Sequence, residues 1–359
     1  MAIESISILK ESKQDPKCRE CENRVVMPPP LLSNLKKACP QIEIFVEKDA
    51  GLKIDIPNSE YERIDAKIVS HDEALKADLI LGVKETKIED FDKLGKSIWL
   101  SYQHFAQAEK RTKLAIKTSK KNGTIFMALE TIEEKKNGKS FFPCLAPMSE
   151  AAGRIIVRHA DMFALLSKRI ITSGLTITGM KKVKVTVLGP GTVGRTAAEE
   201  FKARGMEVHL IGRDNLSELG SSIAGSLFVV SAMYTSGGRP EKLITKEMLK
   251  TMTPGGCVYP VDIDQGGGIE GAIETSILEP FDLPAIEGTE VKCFAPPNIP
   301  SMWARTTSEA LGQAILPYVI DIIDLGLEEA LKKNKAIQCG INIKDGRIVH
   351  EGLASVFRI

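Results

Sequence analysis

An α/β protein of two doubly wound domains is the fold class this sequence predicts, on three observations. From Ser5 to Ser140, short apolar runs alternate with helical segments, the pattern of a parallel sheet covered by helices. A second alternation starts at Lys184, where an apolar run meets three closely spaced glycines and then a helical stretch. Two long helical runs, one from Ser149 and one over Thr306–Leu325, stand where the chain would pass between domains. At 359 residues there is enough chain for two full cores.

In the N-terminal part, Ser5–Leu9, Ile42–Val46, Lys67–Val69, Leu79–Val83 and Ser97–Leu100 read as strands. Pro30–Ala38, Glu60–Ile64 and Gln107–Ser119 read as helices between them. Glu130–Lys139 is polar and contains Gly138, which reads as a loop near a domain boundary. The run from Ser149 reads as a long helix that enters the second domain. There the apolar run ending on Gly189 reads as a strand and the stretch from Arg195 as a helix. Glu207–Ile211, Leu227–Ser231 and Cys257–Val261 read as further strands, and Lys246–Thr251 as a helix. Thr306–Leu325 reads as one helix kinked at its interior Pro317, returning the chain to the first domain. Leu353–Phe357 then closes it. The expected domains are residues 1–145 completed by 305–359, and residues 146–304, with a cleft between them.

Composition excludes several classes of function. A net charge of +1 offers no electrostatic reason for nucleic acid or an anionic membrane as partner. Apolar content of 43% and charged content of 26% are those of an ordinary globular enzyme. No apolar segment reaches the length of a membrane span and the N-terminus lacks a signal-peptide pattern, so a cytoplasmic location is expected. Seven cysteines, an odd number and scattered, argue against a disulfide framework. Cys18 and Cys21 have redox or metal-ligand spacing, but no second pair accompanies them, and free thiols are the simpler reading. No metal site is expected.

The stretch Lys184-Val-Thr-Val-Leu-Gly-Pro-Gly-Thr-Val-Gly194 carries the most information. Strand, glycine turn and helix in that order are the context a dinucleotide-binding fingerprint requires. Gly189 makes the tight turn, Gly191 lets backbone approach a pyrophosphate, and Gly194 lets helix and strand pack closely. Free N–H groups at the helix start, around Thr192 and Val193, face the phosphates. Both domains therefore read as Rossmann-like, with the second holding a nucleotide.

Outside this loop four segments look like a site: Glu22-Asn-Arg24, Val83-Lys84-Glu, Tyr102-Gln-His104 and Val261-Asp-Ile-Asp264-Gln-Gly. Lys84, His104 and Asp264 each follow an apolar strand, at the carboxyl end where open α/β sheets place ligands. Singly, each has an ordinary explanation as a surface charge, a satisfied histidine or a turn cap. Together they form a chemical set. Arg24 and Lys84 can clamp a substrate carboxylate, His104 can move a proton, and Asp264 can orient it.

Those segments, with Ala146-Pro-Met148-Ser-Glu-Ala-Ala-Gly-Arg154, Asp264-Gln-Gly, Pro297-Asn298-Ile-Pro-Ser-Met-Trp-Ala-Arg305-Thr and Gly340-Ile-Asn-Ile, resemble the alanine dehydrogenase and nicotinamide nucleotide transhydrogenase family. The resemblance runs from Glu11 to the C-terminus. It implies that His104 is the acid/base, Asp264 its catalytic partner, and Arg24 and Lys84 the holders of a 2-oxo acid. Tyr102, Met148 and Asn298 match positions lining the substrate and nicotinamide pocket. The implied chemistry is hydride transfer at the carbon bearing the amino or imino nitrogen, with His104 shuttling protons. Retention of His104 favours a dehydrogenase over a transhydrogenase subunit. A homo-oligomer is expected from the same resemblance.

Two departures qualify it. The second strand of an NAD-selective fold ends on Asp or Glu, whereas here Val208–Ile211 ends on Gly212-Arg213. With no carboxylate there and a guanidinium beside it, NADP(H) is favoured over NAD(H). Between Arg213 and the next strand the chain has room for one helix but not for a further strand and helix. The nucleotide domain therefore has a shortened sheet, without its third strand. Fungal-type saccharopine dehydrogenase and N5-(carboxyethyl)ornithine synthase look similarly shortened. Simple reductive amination, as of pyruvate, and opine- or saccharopine-type secondary-amine formation both stay open. A nucleotide-binding protein without turnover is the alternative of another class.

Overall fold

A computed structural model of the chain describes residues 2–11, 22–167, 181–233, 241–263 and 266–357. Cys18, Cys21 and Asp264 lie outside the described residues. The described chain divides into two compact units, residues 2–11, 22–148 and 303–357 in the first and 149–302 in the second.

The first unit opens with β1 (Ser5–Ile8), α1 (Pro29–Ala38), β2 (Glu43–Glu47), α2 (Asn58–Glu62), β3 (Lys67–Val69) and α3 (His71–Ala74). It continues through β4 (Leu79–Leu81), β5 (Ile98–Ser101), α4 (Glu109–Asn122), β6 (Ile125–Ala128) and a hairpin of β7 (Glu134–Lys136) and β8 (Lys139–Phe141). α5 (Ala146–Leu166) carries the chain into the second unit, ahead of the expected start at Ser149. There follow β9 (Lys184–Leu188), α6 (Thr192–Ala203), β10 (Glu207–Ile211), α7 (Leu219–Ile223), β11 (Phe228–Ser231), α8 (Lys246–Lys250), β12 (Cys257–Pro260) and β13 (Lys292–Cys293). The chain returns through α9 (Ala304–Leu325), α10 (Leu327–Lys333), α11 (Lys335–Gly340), β14 (Ile341–Lys344), β15 (Arg347–Ile348) and α12 (Glu351–Phe357).

The first sheet runs β15-β14-β6-β5-β4-β1-β2-β3, parallel except at β14 and β15. From β3 to β6 this is the doubly wound order, whose direction of travel reverses between β1 and β4. β4, β5 and β6 are buried at every residue, as a parallel sheet covered on both faces requires. On one face Leu31, Leu32 and Leu35 of α1 meet Leu311, Ile315, Val319 and Ile322 of α9. Each such fully buried side chain contributes about 1.5–3 kcal/mol. On the other face Trp99, Phe105 and Phe126 pack with Leu353 of α12, so the short C-terminal helix is part of the core. α9 continues as one helix through Pro317.

Local chemistry sets the helix ends. α1 begins on prolines, which lose nothing at a first turn where the N–H is unpaired. Ser70 and Glu73 form a reciprocal capping box on α3. His71, the first residue of α3, has Nε2 2.9 Å from Asp90 and Nδ1 3.0 Å from Glu47. It braces the end of β2 against the turn before β5.

The polar stretch Glu130–Lys139 is not a plain loop: it contains a turn of helix and most of the β7–β8 ribbon. Its strands show no apolar alternation because both faces are largely exposed; Lys136 lies over the Phe141 ring at 3.7 Å instead.

The second sheet, β10-β9-β11-β12-β13, is parallel throughout. In doubly wound terms this is order 2-1-4-5-6, with no third strand among the described residues, as the short connection required. A turn of 3-10 helix and α7 alone join β10 to β11. Behind β12, buried His159 stacks on Phe294 with ring centroids 3.7 Å apart. Its Nε2 lies 2.6 Å from the Pro280 carbonyl and its Nδ1 3.2 Å from the Tyr259 hydroxyl. Among the described residues no helix is long and apolar enough to cross a membrane.

Candidate active site

In the first unit, chemistry collects beyond the carboxyl ends of three neighbouring strands. β1 ends at Ile8, β4 at Leu81 and β5 at Ser101; three residues past each stand Glu11, Lys84 and His104. The point where strand order reverses, between β1 and β4, is where a doubly wound sheet binds ligands.

Arg24 is buried, 2% exposed, and held by Glu22 in a forked pair. Its Nε donates to Glu22 Oε1 at 2.7 Å and its Nη2 to Oε2 at 2.6 Å. Burial alone would raise the Glu22 carboxyl; the Arg24 charge and its hydrogen bonds reverse that and hold it at about 2, helped by Lys84. Nη1 of Arg24 donates to Met148 Sδ at 3.0 Å. Tyr102 is buried nearby and its hydroxyl donates to the Cys144 carbonyl at 2.6 Å. Burial raises its phenol well above the ordinary value. Arg24, Lys84, Tyr102 and Met148 are thus brought together around Glu22.

His104 joins them through Tyr102, whose ring stacks with the imidazole at 6.2 Å between centroids. Its backbone is left-handed, with φ of 47°, a conformation uncommon outside glycine. Glu130 holds that bend. One oxygen accepts the His104 N–H at 2.6 Å, and both accept the Gln103 N–H at 3.2 Å. Nδ1 of His104 lies 3.2 Å from Glu85 Oε1, which directs the tautomer and leaves proton exchange to Nε2. Sequence reasoning assigned no role to Glu11, Glu22, Glu85 or Glu130. For Glu22 and Glu85 the signal was adjacency to Arg24 and Lys84; for Glu130 none existed.

The second unit carries the glycine loop, also at a reversal of strand order. Gly189 has φ of 104°, and a Cβ there would stand 2.5 Å from the Ala232 carbonyl. A Cβ on Gly194 would collide with the Gly189 carbonyl, so helix α6 packs against the loop only without a side chain. Gly191, by contrast, faces open space. It leads into Thr192 and Val193 at the start of α6, which has no side-chain cap, and N–H groups there suit an anion. Gly212 follows β10 and lies against Pro190 of the loop; its N–H donates to Asn215 Oδ1 at 2.8 Å. Arg213 is exposed. Asn298 is left-handed, with φ of 64°.

Asp262, past the end of β12, is a further residue that sequence reasoning left without a role. It is 5% exposed and its Oδ2 accepts from Ser231 Oγ at 2.8 Å and from Gly268 N–H at 3.2 Å. Oδ1 has no partner among the described residues. Burial raises this carboxyl against the pull of those bonds. A buried acceptor without a partner and an open Gly191 fit a dinucleotide whose phosphates meet α6.

Two sheets, one parallel throughout and one parallel except at β14 and β15, with ligand-ready strand ends and the glycine loop on one of them, define a protein of the doubly wound, dinucleotide-fold class. Comparison with known proteins is specific. The family description "Alanine dehydrogenase/PNT, N-terminal domain" matches residues 7–152, and "Alanine dehydrogenase/PNT, C-terminal domain" matches residues 211–351. Alanine dehydrogenase 1 of Staphylococcus aureus (strain NCTC 8325 / PS 47) is 31% identical, over 98% of this chain and 96% of its own length. A solved L-alanine dehydrogenase superposes with a TM-score of 0.84 at 26% identity, covering 99% of both chains. A transhydrogenase from Sinorhizobium meliloti shares the fold, with a TM-score of 0.75 at 21% identity over 97% of this chain and 99% of that one. The chain belongs to the alanine dehydrogenase/PNT family and is an alanine dehydrogenase-like oxidoreductase.

Proposed function

We propose that the chain is an NAD(P)H-dependent enzyme acting at the C–N bond of an amino acid, by reductive amination of a 2-oxo acid such as pyruvate. The observation that carries this reading is the Nη1 of Arg24 resting on the thioether of Met148. A thioether is a weak acceptor, and a substrate carboxylate is the stronger partner that replaces it. Glu22 keeps the guanidinium oriented while this happens. Lys84, at the end of the neighbouring strand, supplies the second cation for the carboxylate or the carbonyl oxygen. His104 gives and takes the proton as the carbonyl carbon accepts nitrogen, with Glu85 and Glu130 fixing its tautomer and backbone. Asp264 is carried over from the family resemblance as the second acid/base group, and Asn298 as a pocket residue.

A bound nicotinamide supplies the hydride. Gly189, Gly191, Thr192, Val193 and Gly194 would hold its pyrophosphate, with Gly212 and Arg213 beside the adenosine ribose. The exposed guanidinium of Arg213 and the lack of a carboxylate at the end of β10 support NADP(H) over NAD(H). The missing third strand supports a second reading, in which an amino acid replaces ammonia as the nitrogen donor.

The test is reduced-nicotinamide absorbance with NADH or NADPH, pyruvate or another 2-oxo acid, and ammonium, ornithine or lysine. Oxidation with pyruvate and ammonium is expected. Oxidation only with ornithine or lysine would select the second reading. No oxidation in any combination, with nucleotide binding intact, would sink the enzymatic assignment.

A further inference from the structure

Main-chain pairing between β1 and β4 stops short of the site. Its last bond runs from the Leu9 N–H to the Leu81 carbonyl at 3.0 Å. On the other side of β4 the ladder with β5 goes on past Leu81. There the Gly82 N–H donates to the Leu100 carbonyl, and the Tyr102 N–H to the Val83 carbonyl, both at 3.1 Å. The N–H groups of Val83 and Lys84 thus lie beyond the β1 ladder, and Val83 is fully buried. A buried N–H needs an acceptor.

Glu11 supplies one with its side chain. It stands three residues past β1 and is 8% exposed. Its Oε1 accepts the Val83 N–H at 2.5 Å and its Oε2 the Lys84 N–H at 3.2 Å. One carboxyl takes the place of backbone acceptors and fixes the turn that carries Lys84. Gly82 leaves room for it: a Cβ there would stand 3.3 Å from Oε1 and 3.6 Å from the Ser101 Cβ. Burial, then the Glu22 charge, raises this carboxyl to about 7 against the pull of its two N–H bonds. In mild alkali the ionised form, which accepts both, prevails.

The main chain of Glu11 is held as well. Lys53 Nζ donates to the carbonyls of Glu11 and Glu22, at 3.4 and 3.0 Å. Glu22 in turn forks Arg24. Glu11 is therefore the junction between the segment that bears one cation and the turn that bears the other. A substrate held by two cations is sensitive to their spacing, since a misplacement of about 1 Å can cost about 100-fold in rate.

We propose that Glu11 is a positioning residue: its carboxylate sets the Lys84 turn against Arg24 without touching substrate. The inference rests on reading Arg24 and Lys84 as the holders of a 2-oxo acid.

The experiment uses the full chain at about pH 8, where the Glu11 carboxylate prevails. Pyruvate affinity is read by ligand-observed magnetic resonance with oxidised nicotinamide nucleotide present, so a variant without turnover is still measured. Four proteins form a cycle: the unaltered chain, Glu11→Gln, Lys84→Ala and the double replacement. Glutamine keeps one acceptor oxygen and loses the other. Glu11→Gln should therefore weaken pyruvate binding about tenfold while nucleotide affinity stays within about twofold. With Lys84→Ala in place, adding Glu11→Gln should change pyruvate affinity less than about twofold, because Glu11 acts through Lys84. A merely structural role would weaken both backgrounds alike.

Should Glu11→Gln not fold, Gly82→Ala, which crowds the same oxygen, takes its place in the cycle. In the unaltered chain, hydrogen exchange at the Val83 and Lys84 amides is expected to be slow. Unchanged affinity in Glu11→Gln, equal losses in both backgrounds, or fast exchange at either amide would overturn the inference. Turnover of pyruvate by the unaltered chain would then leave the proposed function standing. Neither binding nor turnover of pyruvate or another 2-oxo acid by the unaltered chain would overturn both.

Discussion

Glu22 and Arg24 are two residues apart in sequence and form a forked ion pair in which both carboxylate oxygens meet guanidinium nitrogens, at 2.7 and 2.6 Å, with almost no exposure to solvent. Each residue would be costly in place without the other. Glu22→Ala leaves a buried cation unmatched and is expected to cost about 3–5 kcal/mol, read from chemical denaturation. A loss under about 1 kcal/mol, the range of exposed pairs, would show that the fork does not organise the site.

His104 is expected to be the proton carrier. His104→Ala should lower turnover about 10²–10⁴-fold while nucleotide binding, followed by fluorescence, stays intact. Glu130→Gln weakens the acceptor that holds the left-handed bend at His104 and should lower kcat more than it raises KM. Full activity in His104→Ala would remove the histidine from the mechanism.

Stability should fall in mild alkali because of His71. Its hydrogen bond to Asp90, then that to Glu47, raises the imidazole to about 9, above the roughly 6.5 of an unfolded chain. The stabilisation is complete below about pH 6.5 and disappears as pH rises through the folded value. Melting temperature measured from pH 6 to 10 should show this loss, and His71→Gln should not show it.

His159 has the opposite sign. Burial lowers its imidazole to about 4, against the Pro280 carbonyl that favours the charged ring. The unfolded chain then binds a proton between about pH 6.5 and 4 that the folded chain does not, so stability falls as pH falls through that window. His159→Phe should flatten this acid limb; an unchanged limb would assign it to other groups.

Arg213→Glu should reverse nucleotide preference. A carboxylate after β10 can accept a ribose hydroxyl and repel a phosphate, so the NADPH to NADH affinity ratio is expected to fall at least about tenfold. An unchanged ratio would mean that Arg213 faces solvent in the complex.

Five strands of the first sheet and four of the second were legible because parallel strands buried on two faces read as unbroken apolar runs, as in Leu79-Ile-Leu and Phe228-Val-Val; β6, β13, β14 and β15 were not read. The missing third strand was legible from length alone. The β7–β8 ribbon was not, since Glu134-Lys-Lys buries no face that would impose a period. In the site, Lys84 and His104 declared themselves by standing after strands. Glu130 did not, because its contribution is to backbone N–H groups of residues 103 and 104, a relationship that side-chain identity at those positions does not encode. Glu11 carries no signal in its own segment; its closeness to Glu22 and Lys84 needs the fold to bring three segments together.

Loss of the third strand also changes what β10 is. In a full sheet this strand is interior; here it is the margin, and among the described residues one row of its N–H and C=O groups has no neighbouring strand. Such a row is a template on which another extended segment can add. β10 is only five residues long, and it carries exposed Glu207 paired with His209 at 2.9 Å. Brevity and charge are the usual safeguards of an open margin. Replacing both with valine would leave a short, apolar, self-complementary edge. The protein would then be guarded against strand exchange between copies by little more than its concentration.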